Sequence, residues 1–189
     1  GLDEAGRGSW AGPVVAAAVI LPPNFKLKQV KDSKKLNPSQ REKLFSQITK
    51  RSLAWSVGIV SEKIIDEVGI LSATKEAFLK ALDKLHLEPD YILVDGIKFF
   101  EPQIEHEFII KGDDKIISIS AASIVAKVVR DSLFNYYHKF YPEYGFSGHK
   151  GYGTTEHQSA LENFGLTELH RTSYKPIEQI LISSLSEAE

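Results

Sequence analysis

One uninterrupted apolar run, residues 14–21, places the strongest constraint on the fold of this chain. It reads Val-Val-Ala-Ala-Ala-Val-Ile-Leu, and it is bounded by Gly12-Pro13 before it and by Pro22-Pro23 after it. Apolar and polar residues do not alternate along the run, and its ends are β-branched, so it predicts a strand buried on both faces. Such a strand requires a sheet with helices packed on both sides.

Further strand and helix patterns agree with an α/β sheet. Apolar runs at 53–60, 91–94 and 108–110 predict three more strands. Asn37 followed by Pro38 and Gln40 is typical of a capped helix start, and this helix should run to about Lys50. Helical spacing predicts further helices over about 71–85, 118–140, 156–164 and after Pro176.

Length and composition limit the class of protein. A chain of 189 residues with 42% hydrophobic and 25% charged residues fits a globular fold. We expect a single catalytic domain over residues 1–189, in which about 141–189 forms a C-terminal helical extension, and we expect a monomer. No run approaches the ~20 apolar residues of a membrane span, so no membrane partner is expected. The absence of cysteine excludes disulfides, thiolate zinc sites and cysteine nucleophiles, and it suits a cytoplasmic location.

The charge is distributed unevenly along the chain. The formal net charge is −2, but residues 26–51 carry nine basic and two acidic side chains. This segment is therefore +7 and the remainder −9. A basic segment beside an acidic remainder is typical of a metal enzyme that binds a polyanion, although a solvated basic helix face would give the same count.

Acidic residues stand at three predicted strand ends. Asp3 and Glu4 run into the Gly-Arg-Gly turn at 6–8, Asp95 ends the run at 91–94, and Asp113 follows Lys-Gly after the strand near 108. Each could be an ordinary turn. Because ligands of open α/β sheets gather at strand ends, the combination predicts one acidic cluster at one sheet edge. Two divalent cations roughly 4 Å apart would neutralise the carboxylates and activate a water on a phosphodiester.

The segment 141–153 is rich in glycine, aromatic residues and cations. Aromatic rings beside cations suit stacking on sugars or bases, but the loop could also pack on itself. Three nearby histidines, at 149, 157 and 170, lack the tight spacing of metal ligands, so capping, packing or phosphate contacts are expected of them. We expect Arg130-Asp131 to be an exposed or salt-bridged pair.

Seven motifs, in order, carry a resemblance to a known family. They are Asp-Glu-Ala-Gly-Arg-Gly (3–8), Ala-Gly-Pro-Val-Val-Ala-Ala-Ala-Val-Ile (11–20), Asp-Ser-Lys-Lys-Leu (32–36), Val-Asp-Gly (94–96), Lys-Gly-Asp (111–113), Ser-Ala-Ala-Ser-Ile-Val-Ala-Lys-Val-Val-Arg-Asp (120–131) and His-Lys-Gly-Tyr (149–152). The chain resembles the bacterial type 2 ribonucleases H, the ribonuclease HII family, over nearly its whole length. It departs from the family at Gly153, where proline is frequent.

The resemblance implies a ribonuclease H-like α/β fold. The first three strands would be antiparallel and the later ones parallel, with helices on both faces and a C-terminal helical segment. It also implies two divalent cations, Mg²⁺ or Mn²⁺, held by four catalytic carboxylates: Asp3, Glu4, Asp95 and Asp113. Asp113 is preferred to Asp114 and Asp131 because it follows Lys-Gly in the pattern of the family.

The implied substrate-binding residues are Gly6, Arg7, Gly8, Tyr152, Lys34 and Lys35. The turn at 6–8 would read the ribose 2′-OH where RNA passes into DNA, and Tyr152 would stack on the next sugar. The two lysines would contact phosphates.

The implied activity is endonucleolytic cleavage on the 5′ side of a ribonucleotide. The substrates would be RNA–DNA hybrids and duplex DNA with embedded ribonucleotides, and the products would carry 3′-OH and 5′-phosphate ends. The alternatives are a nucleic-acid-binding module without catalysis and another metal-dependent nuclease or phosphatase on the same scaffold.

Overall fold

A computed structural model of the chain describes residues 1–26 and 36–186, and side chains as far as Ile182. Lys34 and Lys35 lie outside the described residues. The strands are β1 (Leu2–Ala5), β2 (Val14–Ile20), β3 (Ala54–Val60), β4 (Ile92–Asp95) and β5 (His106–Ile109). The helices are α1 (Pro38–Arg51), α2 (Glu62–Val68), α3 (Ile70–Asp83), α4 (Gly112–Lys115), α5 (Ile117–Tyr137), α6 (Phe146–His149), α7 (Thr155–Phe164) and α8 (Lys175–Ser186).

The five strands form one mixed sheet in the order β3-β2-β1-β4-β5. β1 pairs antiparallel with β2, and β2 pairs antiparallel with β3. β4 pairs parallel with β1 and with β5. The predicted arrangement, three antiparallel strands followed by parallel ones, is therefore confirmed.

The β2 strand is buried on both faces, as its apolar run predicts. Val14, Ala16 and Ala18 pack on one face with α2 and α3, whereas Ala17 and Val19 pack on the other with α1 and α5. Because α5 covers the face on which the odd-numbered residues lie, its N-terminal turns stand over the odd residues of β1. These odd residues include Asp3.

Local sequence fixes the start of α1. The Asn37 side chain accepts a hydrogen bond from the Gln40 amide, and the Gln40 side chain accepts one from the Asn37 amide. This is the reciprocal capping box that the sequence predicts. Ser61 caps α2 in a similar way, with its hydroxyl accepting from the Ile64 amide.

The C-terminal segment has its own apolar cluster, which is joined to the start of the chain. Phe134, Phe146, Leu161 and Ile177 are buried in it. Ala11, in the turn that follows β1, forms an isolated antiparallel bridge with His170. The division into one domain with an extension from 141 stays a prediction. Among the described residues, no helix combines the length and apolar character that crossing a membrane requires.

Candidate active site

Strand pairing brings the predicted acids to one end of the sheet. Leu2 lies opposite Val94 in the parallel pair of β1 and β4, so Asp3 and Asp95 follow at the same level. Lys111 adopts a left-handed conformation with φ of 55° and turns the chain back after β5. The amides of Gly112 and Asp113 then donate to Asp95 Oδ1 at 2.7 and 3.3 Å. Three separate segments thereby converge.

Burial and mutual repulsion destabilise the charged forms of the first two acids. Burial raises the pKa of Asp3 well above its usual range, and the charges of Glu4 and Asp95 raise it further. Burial also raises the pKa of Glu4, although Arg7, whose Nη1 lies 3.2 Å from Glu4 Oε1, opposes the shift. Ser123, on α5, donates a hydrogen bond to the Asp3 carboxylate.

The donor set fits a hard divalent cation. Glu4 Oε2 is buried and has no hydrogen-bond donor among the described residues. A cation there would supply the missing partner and relieve the carboxylate repulsion. Within residues 1–26 and 36–186, however, no group of three or more His, Cys, Asp or Glu side chains is already spaced around one cation position. The four-carboxylate ligand set therefore stays a prediction.

The neighbouring residues Asp113 and Asp114, in α4, differ sharply in exposure to solvent. Asp113 is buried, with 2% of its surface exposed, and its main-chain carbonyl accepts a hydrogen bond from the Ser120 hydroxyl. Asp114 is exposed to solvent. The preference for Asp113 over Asp114 is thus matched by its burial beside Asp95.

Side chains from α5 and the C-terminal segment contact the main chain of the Gly-Arg-Gly turn. Gly6 has φ of 99°, and a Cβ at this position would lie 2.0 Å from Arg130 Nε. The Arg7 carbonyl accepts from Arg171 Nη1 at 3.1 Å and from the Tyr174 hydroxyl at 2.5 Å. The Arg7 side chain is 43% exposed and points into the site as far as Glu4. The backbone of the turn is therefore fixed while its arginine remains accessible.

The expectation for Arg130 is wrong. Its side chain is fully buried and pairs with no carboxylate of the described residues. Its guanidinium donates instead to the carbonyls of Pro13, Ala11 and Lys150 and to the Ser9 hydroxyl, at 2.5–3.1 Å. Burial lowers the pKa of Arg130 to about 10, so it stays charged at neutral pH.

Asp131 does form ion pairs, as expected. Its carboxylate lies 2.7 Å from Lys127 Nζ and 3.5 Å from Arg41 Nη1. Helical spacing in the sequence could have indicated that Arg130 is buried. It stands four residues from Ala126 and four from Phe134, which are both buried on the same face of α5.

Tyr152 lines the same cavity as Glu4 and the Gly-Arg-Gly turn. The cavity has a volume of about 440 Å³, and its lining includes Glu4, the turn 6–8 and Tyr152. The Tyr152 ring is 36% exposed and packs near two α5 cations, with its centroid 5.3 Å from Arg130 Cζ and 5.6 Å from Lys127 Nζ. Arg41, Ser123 and Lys127 also line it, and sequence reasoning had not selected them. Larger cavities, of about 750 and 740 Å³, lie elsewhere and include none of the four acids.

The three histidines form a buried cluster behind Tyr152. The Thr167 amide donates to His170 Nδ1 at 2.8 Å, so His170 carries its proton on Nε2 and donates to His157 Nε2 at 3.0 Å. His157 Nδ1 in turn donates to the Tyr152 carbonyl at 3.0 Å. Burial lowers the pKa of His157 and of His170 to about 4, so this chain of neutral rings holds the Tyr152 backbone.

A mixed sheet of this order, with acids gathered at the ends of β1 and β4, defines a protein of the ribonuclease H-like class. The sequence model for Ribonuclease HII matches residues 1–177. The Ribonuclease HII of Ruminiclostridium cellulolyticum is 52% identical over 92% of the chain and 68% of its own length. That of Syntrophus aciditrophicus is 49% identical over 93% of the chain and 82% of its own length.

Solved structures of ribonucleases H share the fold of this chain. The ribonuclease H2 of Pyrococcus horikoshii superposes with a TM-score of 0.81 at 31% identity, over 95% of each chain. The RNase HII of Archaeoglobus fulgidus, solved in complex with PCNA, gives 0.79 at 28% identity, over 92% of this chain and 93% of its own. The fold of Bst-RNase HIII, solved with Mn²⁺, matches at 0.74 and 20% identity, over 97% of this chain and 68% of its own.

The chain belongs to the Ribonuclease HII family. It is a hydrolytic endoribonuclease of a metal-dependent family that acts on RNA–DNA hybrids. The alternative of a binding module without catalysis is therefore not supported.

Proposed function

We propose that this enzyme cuts the phosphodiester on the 5′ side of a ribonucleotide, both in RNA–DNA hybrids and in duplex DNA with embedded ribonucleotides. The products would be 3′-OH and 5′-phosphate ends. The observation that carries the proposal is that Glu4, the Gly-Arg-Gly turn and Tyr152 line one cavity. Glu4, which is suited to metal-assisted phosphate chemistry, thus faces the same space as the turn and Tyr152, which are suited to sugar recognition.

Asp3, Glu4, Asp95 and Asp113 would hold two divalent cations, Mg²⁺ or Mn²⁺. Bound there, the cations would activate the attacking water and stabilise the leaving 3′ oxygen. Burial of Asp3 and Asp113 and the two backbone amides that donate to Asp95 support this assignment. Bst-RNase HIII, which shares the fold, was solved with Mn²⁺.

Sugar recognition would fall to the turn and to Tyr152. The Arg7 carbonyl accepts from Arg171, and Arg130 donates to Ser9, directly after the turn, so the polar groups of residues 6–8 can meet a ribose 2′-OH without reorganising. The exposed face of Tyr152 would stack on the following deoxyribose, where a 2′-OH would be crowded. With the turn on the ribose and Tyr152 on the following deoxyribose, the enzyme would prefer the junction where RNA passes into DNA. Monomeric state and cytoplasmic location stay predictions.

The test is cleavage of a DNA duplex that contains one ribonucleotide, compared with an all-DNA duplex, in Mg²⁺, Mn²⁺ or chelator. We expect a single cut 5′ of the ribonucleotide, and no cut in the all-DNA duplex or with chelator. Equal cutting of both duplexes would overturn junction recognition.

Two matched pairs of variants test the residues. Asp113→Asn should abolish cleavage, whereas Asp114→Asn, its exposed neighbour, should retain it. Tyr152→Ala should reduce the preference for the junction over an all-RNA strand, whereas the exposed Tyr136→Ala should not. Loss of activity in Asp114→Asn with activity retained in Asp113→Asn would reject the ligand assignment.

A further inference from the structure

A second cavity continues from the candidate active site along α5. It has a volume of about 300 Å³ and lies between the N-terminal end of α1, the middle of α5 and the residues around α6. Arg41 and Lys127 line both cavities, so the two spaces lie side by side. Three cations from three different segments border this path, and we call it the basic groove: Arg41, Lys127 and Lys150.

We propose that the basic groove binds the phosphodiester backbone of the nucleic-acid strand on the deoxyribonucleotide side of the cut. This rests on the proposed role of Tyr152, because a strand whose sugar stacks on that ring must continue past it. Lys127 Nζ lies 5.6 Å from the centre of the ring, and Arg130, slightly closer, is fully buried, so Lys127 is the first accessible cation that the strand would meet. Lys150, only two residues before Tyr152, is positioned farther along the groove.

The groove cations are held in place by neighbouring polar groups. Lys150 Nζ donates to Asn135 Oδ1 at 2.5 Å and to the Ser147 carbonyl at 2.6 Å. Arg41 Nη2 donates to the Leu36 carbonyl at 2.9 Å. Since an ammonium has three donors and a guanidinium five, each group keeps donors that none of these bonds uses. Cations oriented in this way lose little conformational entropy when they meet a phosphate.

Asp131 marks the point at which two of these cations converge. Its oxygens lie 2.7 Å from Lys127 Nζ and 3.5 Å from Arg41 Nη1. The two cations, from α1 and α5, therefore share one carboxylate partner, and a phosphate would meet their remaining donors. Glu42 also lines the cavity, so the groove carries three cations against two carboxylates. A small excess of positive charge suits contacts that position a strand but still allow it to dissociate.

The experiment measures binding to an all-DNA duplex as a function of salt, between about 50 and about 200 mM. This duplex is not a substrate, so the result does not depend on where the enzyme cuts. Removing one lysine that binds a phosphate should reduce the slope of log K against log salt by about 1. We expect this change for Lys127→Gln and for Lys150→Gln, and a largely retained slope for Lys127→Arg.

Lys75→Gln is the matched control, because Lys75 is an exposed lysine on α3, across the sheet from α5. It makes the same change in net charge and should leave the slope unaltered. Equal slopes for Lys127→Gln and Lys75→Gln would overturn the proposal. On a cleavable duplex, Lys127→Gln should raise KM several-fold with kcat nearly unchanged. A fall in kcat alone would assign Lys127 to the chemistry and contradict the groove.

A substrate with one uncharged methylphosphonate locates the contact. Placed at the phosphate that follows the stacked deoxyribose, it should weaken binding by the wild-type enzyme and add no further loss to Lys127→Gln. Independent, additive losses would show that Lys127 acts elsewhere. If the enzyme failed to prefer the junction while these binding results held, the proposed function would fail and the groove would stand.

Discussion

The neutral histidine chain behind Tyr152 makes the stability of the fold sensitive to mild acid. His157 and His170 have a usual pKa of 6.5, and burial lowers both to about 4. Between these values the unfolded chain binds protons that the folded chain does not. Stability is therefore complete above pH about 6.5 and falls as the pH is lowered towards about 4.

The size of the effect follows from the two pKa values. A difference of one pKa unit corresponds to 1.36 kcal/mol, so acidification through both pKa values lowers the free energy of unfolding by at most about 3 kcal/mol for each histidine. By pH about 5.5 the loss is about 1.4 kcal/mol for each ring. The two rings share a hydrogen bond, so their combined effect is not the simple sum. The carboxylates of Asp3 and Glu4, whose pKa values are raised, change stability in the opposite direction as the pH falls.

The assay is urea unfolding at several pH values from about 7 to about 5, for the wild type and for His157→Gln. Glutamine keeps a donor and an acceptor but does not titrate in this range. The variant should be less stable at pH about 7 and should lose stability less steeply on acidification, by up to about 1.4 kcal/mol per pH unit. His86→Gln, at an exposed position, is the control and should follow the wild type. Parallel curves for the wild type and His157→Gln would refute the reasoning.

Three further predictions concern the turn, the sheet and the metal site. Gly6→Ala should lower the melting temperature strongly, because its φ is 99° and its Cβ would meet Arg130, whereas Gly8→Ala, with no atom of the described residues within 4 Å of the added Cβ, should not. Gly58→Ala should destabilise the fold by more than about 2 kcal/mol in urea titrations, because its Cβ would lie 1.9 Å from a main-chain carbonyl oxygen of α3. Mn²⁺ should raise the melting temperature of the wild type but not of Asp95→Asn, and an equal rise in both would contradict the ligand assignment.

Features set by local sequence were predicted well. The apolar run of β2 specified burial on both faces because its composition alone leaves no polar face. The Asn37 capping box formed because all its partners lie within four residues. Glycine after a strand end likewise marked the places where the acids stand.

The shape of the acidic site depends on geometry that no local pattern encodes. Asp95 is fixed by the amides of Gly112 and Asp113, 17 and 18 residues away. Those amides point at it only because Lys111 takes a left-handed conformation, which lysine rarely adopts. The sequence therefore indicated that the acids stand at strand ends, but it could not indicate how their oxygens are oriented.

Arg130 shows why charge alone misleads sequence reading. An arginine beside an aspartate suggests an ion pair, yet its acceptors are Ser9 and three main-chain carbonyls, all at least 20 residues distant. Such acceptors are invisible in a sequence, since every residue carries a carbonyl. The informative signal was its position between Ala126 and Phe134 on the buried stripe of α5.

This buried guanidinium also links the two proposed sugar-reading elements. It donates to the carbonyls of Ala11 and Pro13 and to Ser9, whose hydroxyl lies 3.2 Å from the Gly6 carbonyl oxygen of the turn. It holds the other element through the carbonyl of Lys150, two residues before Tyr152. Main-chain acceptors fix backbone position irrespective of the side chains that the substrate meets. The spacing between the turn and Tyr152 is therefore set by one rigid, permanently charged group, because the pKa of Arg130 remains near 10 despite burial. An enzyme that recognises the RNA–DNA junction needs such a fixed spacing, since it must bind a ribose and the following deoxyribose at the same time.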